Sequence, residues 1–179
     1  MTSKKTLRIL VPILIVAVVA GIWLYKDHQD KQEAARQLVT AGDPAFVLQE
    51  RSFDLAAYQA HQLPLILHFG ADDCPPCQEM RPALEATHQK TIGKAVIKYF
   101  DVWKQPELGG DYPIRVVPTQ VFILPDGKPY VPSAAVEESG LQFQIYEHRD
   151  TGEHALTVHE GMLDEAEFQM ILNDMGLAA

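Results

Sequence analysis

Cysteine is scarce in this chain: 179 residues hold two, three positions apart at Cys74 and Cys77. So few cannot form a disulfide framework, and the fold must rest on a packed core. No second cysteine pair exists to complete a four-ligand structural zinc site. Basic charge is also short, with 15 Lys and Arg against 24 Asp and Glu and a net charge of −9. Residues 1–25 carry three basic and no acidic side chains, leaving 12 basic against 24 acidic, or −12, for the rest. That balance argues against binding nucleic acid or an anionic membrane surface. There is no internal repeat and no low-complexity run.

One long hydrophobic run is present, from Ile9 to Tyr25. As a helix it would span roughly 25 Å, at the short end for a hydrocarbon core of about 30 Å, with Leu7 and the flanking basic stems making up the remainder. Lys4, Lys5 and Arg8 precede the run, and Asp27 and Asp30 follow it. The positive-inside rule then expects an N-terminal anchor over residues 1–25 in a cytoplasmic (inner) membrane, with the C-terminal domain on the periplasmic, extracytoplasmic side. A cleaved signal peptide ending near Val18-Val19-Ala20 is the competing reading, disfavoured because apolar residues continue through Ile22-Trp23-Leu24. Residues 26–43, charged and rich in Gln and Ala until Gly42-Asp43-Pro44, read as a helical stalk, and 44–179 as the folded domain.

Within that domain, Ser52 is a candidate cap for a short helix bearing Leu55 and Tyr58. Leu65 to Phe69 is an apolar run between Pro64 and Gly70, the pattern of a buried strand. Directly after it comes Cys74-Pro75-Pro76-Cys77, and then Met80, Leu84 and His88 at helical spacing. A Cys-X-X-Cys at a strand-to-helix junction points to redox chemistry, because two such thiols can close and reopen a small ring. Ala95 to Val102 is a second strand, Gln105 to Tyr112 a short helix or loop, and Thr119 to Leu124 a third strand ending in a hairpin turn at Pro125–Lys128. A second hairpin is expected from Leu141–Tyr146 and Ala155–His159, and Asp164 caps a last helix with Phe168, Ile171, Leu172 and Met175 on one face. This order of elements predicts a three-layer α/β domain.

With these elements in place the chain resembles the thioredoxin superfamily over about Leu63 to Gly176. The likeness is carried by Leu67 through Cys77, by Pro82 five residues after Cys77, by Ile114-Arg115-Val116-Val117-Pro118-Thr119, by Asp126-Gly127-Lys128, and by His159-Glu160-Gly161. The chain also departs from the family. Asp73 stands where Trp is common, and His68 replaces a buried acid six residues before the first cysteine. Pro118 and Gly161 lie 43 residues apart, so an added lobe is expected at about Val131 to Glu153. The resemblance implies a thioredoxin-like three-layer α/β/α domain with an inserted lobe, here preceded by the one N-terminal transmembrane helix expected from Ile9–Tyr25. It also implies a membrane-anchored, extracytoplasmic thiol-disulfide oxidoreductase that needs no cofactor.

Cys74, near a helix N-terminus whose dipole favours a thiolate, is the expected nucleophile, and Cys77 the resolving thiol of a redox-active disulfide. Pro75 suits the first helical position. His68 is either a base for Cys77 or a core histidine, and Lys98 either its charge partner or a snorkelling surface lysine. By the resemblance Pro118 is cis, so that Val117 presents its backbone to an extended substrate segment. Asp72 and Asp73 oppose a Cys74 thiolate, and Pro75 and Pro76 remove two N–H donors that would stabilise it. Both effects predict a reductant, a protein-disulfide reductase. The resemblance suggests disulfide-containing exported proteins as substrates and a membrane thiol transporter as electron donor. The alternatives are an oxidase or isomerase on the same fold, and a tethered copper or zinc module in which His148, His154 or His159 joins the cysteines.

Overall fold

Leu65–Gly70 (β1) is buried along its whole length, as a strand covered on both faces must be. In the computed structural model, which describes residues 18–19, 21–23, 26, 42–49 and 51–177, β1 lies inside a five-stranded sheet. Its other members are Val96–Asp101 (β2), Thr119–Ile123 (β3), Gln144–Glu147 (β4) and His154–Glu160 (β5), in the order β2-β1-β3-β5-β4. β1 pairs in parallel with β2 and antiparallel with β3, and β5 runs antiparallel to both β3 and β4. The chain divides into two compact units, Met1–Gly42 and Asp43–Ala179, and the sheet belongs to the second.

The pleat sorts the strand residues onto two faces. Ile66, Ile97, Tyr99 and Phe122 meet the apolar stripes of two helices, Pro75–Thr91 (here α2) and Glu165–Asp174 (here α4). Phe168, Ile171 and Leu172 of α4 are fully buried there, each contributing roughly 1.5–3 kcal/mol relative to exposure. α4 starts where the sequence indicates. Asp164 accepts from the Glu167 N–H at 2.8 Å, and Glu167 accepts from the Asp164 N–H at 2.7 Å, a reciprocal capping box. On the opposite face Leu65, Leu67, Phe69, Val96, Phe100 and Val121 pack under a 3-10 turn at Pro44–Phe46, the helix α1 (Leu55–Gln59) and a 3-10 turn at Pro106–Gly109.

The stretch from Val131 to Glu153, expected as an added lobe, has structure of its own. Its short helix α3 (Ala134–Glu138) follows Ser133, whose N–H bonds Asp174 on α4 at 3.0 Å. Strand β4 then extends the sheet beyond β5, pairing Gln144 with Val158, Ile145 with Thr157 and Tyr146 with Leu156. Its alternating half-buried and exposed residues suit an edge with one face in water.

Two expectations are corrected. No helix among the described residues is long and apolar enough to cross a membrane, so the fold does not include the transmembrane helix expected at its front. Of Ile9–Tyr25 only Val18, Val19, Gly21, Ile22 and Trp23 are described. The remainder of that run, and almost all of the stalk, lie outside the described residues, as does the basis for a location at the membrane. Second, Asp54 rather than Ser52 caps α1, accepting from the Ala57 N–H at 3.0 Å. The turn at Pro125–Lys128 forms as expected, with Leu124 N–H donating to the Lys128 carbonyl at 2.8 Å and Tyr130 N–H to the Phe122 carbonyl at 3.2 Å across the bridge between Ile123 and Pro129. The next full partner of β3 is β5, because the lobe intervenes.

Candidate active site

β1 delivers the chain to the start of α2, and Cys74 is the N-cap residue of that helix. Pro75 and Pro76 follow within its first turn and have no N–H. The first amide the helix can offer is therefore that of Cys77, which points at Cys74 Sγ at 3.3 Å. Cys74 and Cys77 are joined as a disulfide with their Cα atoms 5.2 Å apart. Burial does not distinguish them, at 3 % and 2 % exposure; position does. Cys74 Sγ occupies the helix terminus and lies 3.7 Å from the Val117 carbonyl oxygen, a contact that becomes a hydrogen bond only when the sulfur carries a proton.

Val117 precedes a cis proline, Pro118. The loop is pinned from both sides: Thr119 Oγ1 donates to the Val116 carbonyl at 2.7 Å, and the Gly161 N–H to the Pro118 carbonyl at 2.9 Å. Gly161 has φ +125°, a conformation that only glycine adopts without strain. Ala71, Cys74, Cys77 and Val117 form a small apolar cluster. Alongside runs a groove of about 580 Å³ lined by Val102, Trp103, Tyr112, Ile114, Val116 and Val117, with Trp103 and Val116 exposed.

His68 and Lys98 do not meet. In the β1–β2 register Lys98 stands opposite Leu67 and His68 opposite Tyr99, so the pleat sends the two side chains to opposite faces. Lys98 is fully buried, neither snorkelling nor facing the cysteines. Its Nζ donates to the Pro44 carbonyl at 2.8 Å and the Val47 carbonyl at 2.6 Å and lies over the Tyr58 ring, which ties the start of the domain to the sheet. His68 stacks on Tyr99 with ring centroids 5.4 Å apart, and its Nδ1 lies 3.3 Å from Gln120 Nε2. Burial, helped by the Arg81 charge, lowers its pKa from 6.5 to about 3. With the amide N–H donating to Nδ1, the ring is a neutral acceptor there, and so poor a base has little drive to hold a thiol proton. Gly70 leaves room for this pair: a Cβ there would stand 2.9 Å from the Tyr99 ring and 3.0 Å from His68 Nε2.

Sequence reasoning missed the group around Asp72. Arg81 from α2 donates to one Asp72 oxygen, which also accepts from the Tyr99 hydroxyl at 3.2 Å. Lys104 Nζ donates to the other oxygen at 2.5 Å and lies 3.6 Å from Asp101. The Asp72 N–H in turn donates to Asp101 at 3.0 Å. The bond from Lys104, largest of all, together with those from Arg81 and Tyr99, draws the Asp72 carboxyl down to about 2 against the opposing effect of burial, which ranks second. Two carboxylates thus face two cations, and Asp72 does not bring an uncompensated negative charge to Cys74. Asp73, by contrast, is exposed. Tyr99 becomes the neighbour of His68 only through the β1–β2 register, and no short-range signal points to Arg81 or Lys104.

Among the described residues no group of three or more His, Cys, Asp or Glu is arranged to hold a metal ion. His154 is engaged with the Leu156 carbonyl and the Thr157 hydroxyl, and His159 with the Gln142 carbonyl.

Several known proteins are similar to this chain. Thioredoxin-1 of Drosophila melanogaster is 39% identical over 59 residues, 33% of this chain and 55% of that protein. The thioredoxin of Chlorobaculum thiosulfatiphilum is 34% identical over 59 residues, again 33% and 55%. The chain spans about half the length of these curated relatives. Among solved structures, chloroplastic thioredoxin z is similar with a TM-score of 0.49 at 21% identity, covering 74% of this chain and 96% of that one. A mutant thioredoxin from Halobacterium salinarum NRC-1 has a TM-score of 0.48 at 20% identity, covering 74% and 92%. The family described as Thioredoxin matches residues 44–146, a stretch that holds both cysteines and the cis proline, and the chain belongs to that family.

Proposed function

We propose that this domain is a thiol-disulfide oxidoreductase that reduces protein disulfides. The observation that carries the reading is a Cys74–Cys77 disulfide at a helix N-terminus, with Cys74 Sγ against the residue preceding a cis proline. In the dithiol state Cys74, as thiolate, attacks one sulfur of a substrate disulfide. A new S–S bond forms and the substrate's other sulfur leaves, taking up a proton. Cys77 then gives up its proton and attacks Cys74 Sγ, breaking the mixed disulfide and releasing the second substrate thiol. Two electrons and two protons pass to the substrate, and a dithiol donor must restore the enzyme. Val117 offers backbone to an extended substrate segment as an added strand, and the neighbouring groove takes its apolar side chains.

The reducing direction is supported by Pro75 and Pro76, which leave one amide at Cys74 Sγ where a helix N-terminus ordinarily offers several. A less stabilised thiolate makes the disulfide the favoured form. The pairing of Asp72 removes one of the two charges that pointed the same way, so an oxidase or isomerase is the second reading. Reduction of insulin by the wild type, by Cys74→Ser and by Cys77→Ser tests the mechanism. Both variants should lose turnover, and Cys77→Ser should accumulate mixed disulfides through Cys74. Turnover surviving Cys74→Ser refutes it. A reduction potential near about −120 mV rather than about −270 mV would assign the oxidising direction.

A further inference from the structure

Arg115 stands three residues before Pro118 and lines the groove together with Ile114 and Val116 on either side of it. Its guanidinium grips Glu160 of β5 with two prongs, Nε to Oε1 at 2.9 Å and one terminal nitrogen to Oε2 at 3.0 Å. The same terminal nitrogen donates to Gln144 Oε1 on β4 at 2.5 Å. Gln144 closes the circuit, its Nε2 donating to Glu160 Oε2 at 2.8 Å, and the Tyr146 hydroxyl donates to Gln144 Oε1 at 3.0 Å. Two of these four side chains, Gln144 and Tyr146, come from the strand that the added lobe contributes.

We infer that this added strand is a positioning device for the loop that docks substrate: Gln144 and Tyr146 fix the Arg115–Glu160 pair, and Arg115 holds Ile114–Val117 in place beside Cys74. An Arg–Glu pair on an exposed surface holds little by itself. Here a neutral amide and a phenol supply the further bonds, turning a pair into a network with one geometry. The Arg115 bonds keep Glu160 ionised by lowering its pKa. With Val116 and Pro118 already tied through their carbonyls, the side-chain network fixes the loop at the end those bonds do not reach. An ordered loop binds an extended polypeptide without first losing conformational freedom, whereas a small disulfide that touches only the sulfurs gains nothing from it.

The inference rests on the proposed disulfide reduction, and the test separates the two. Full-length wild type, Gln144→Ala, Tyr146→Phe and Arg115→Lys are compared in steady-state reduction of insulin and of 5,5′-dithiobis(2-nitrobenzoate), with the reduction potential measured for each. Gln144→Ala should raise KM for insulin about three- to tenfold, with kcat, the small-disulfide rate and the potential unchanged. Tyr146→Phe, which removes one bond and little packing, should shift KM the same way by less. Arg115→Lys, which keeps the charge but not the fork, should also raise it. An insulin KM within about twofold of wild type in all three variants overturns the inference. So does a parallel fall in both reactions, which would mark general damage. A wild type that reduces neither substrate instead overturns the functional reading itself.

Discussion

Substituting His68 by Gln isolates the energetic consequence of burying an imidazole beneath the active-site turn. Its pKa is lowered from 6.5 to about 3, by burial first and the Arg81 charge second. Between those values the unfolded chain binds a proton that the folded one refuses, so stability falls as pH drops through the window and is regained as pH rises. At pH 5 the unfolded state lies about 1.5 pH units below its histidine pKa, which at about 1.4 kcal/mol per unit amounts to about 2 kcal/mol; at pH 7.5 the effect is almost nil. Gln can keep a polar contact with Gln120 and has nothing to titrate. Urea unfolding of the oxidised proteins at pH 7.5 and 5.0 should show wild type losing about 2 kcal/mol more than His68→Gln across the interval. His88, whose pKa is also lowered by burial, is present in both proteins and drops out of the difference. Equal losses in the two would mean that His68 takes up its proton in the folded state, and the assignment of a neutral buried ring would be wrong.

Two further outcomes follow from the same contacts. Asp72→Asn removes the carboxylate that Arg81 and Lys104 share two residues from Cys74, favouring its thiolate; the potential should become less negative by about 10–20 mV, the equivalent of roughly 0.5–1 kcal/mol. A more negative potential, read from glutathione equilibration, would contradict the compensation described for Asp72. Lys98→Met strips the Pro44 and Val47 carbonyls of a buried donor and should destabilise the domain by about 1–3 kcal/mol. Per folded molecule, reduction of a small disulfide should be untouched, since Lys98 lies on the sheet face away from His68; a loss confined to catalysis would show otherwise.

Much of this protein is written in short stretches of chain. The apolar run before Gly70, the cysteine pair at the start of a helix and the Asp164–Glu167 box each depend on residues within a few positions of one another, where propensity, pleat and capping act directly. The cysteines and the cis-proline segment were legible for that reason, the latter through its resemblance to a family. Contacts between distant residues were not. Tyr99 rather than Lys98 faces His68 because the parallel register of β1 and β2 fixes which side of the pleat each side chain takes, and a shift by one residue would exchange them. Arg81 and Lys104 meet on Asp72 from nine and 32 residues away. Arg115 reaches Glu160 across 45 residues and Gln144 across 29. Local pattern along the chain places two sulfurs at a strand-to-helix turn; the folded sheet sets which charges surround them and what holds the loop beside them, because electrostatics and hydrogen bonding depend on distance in space rather than along the chain.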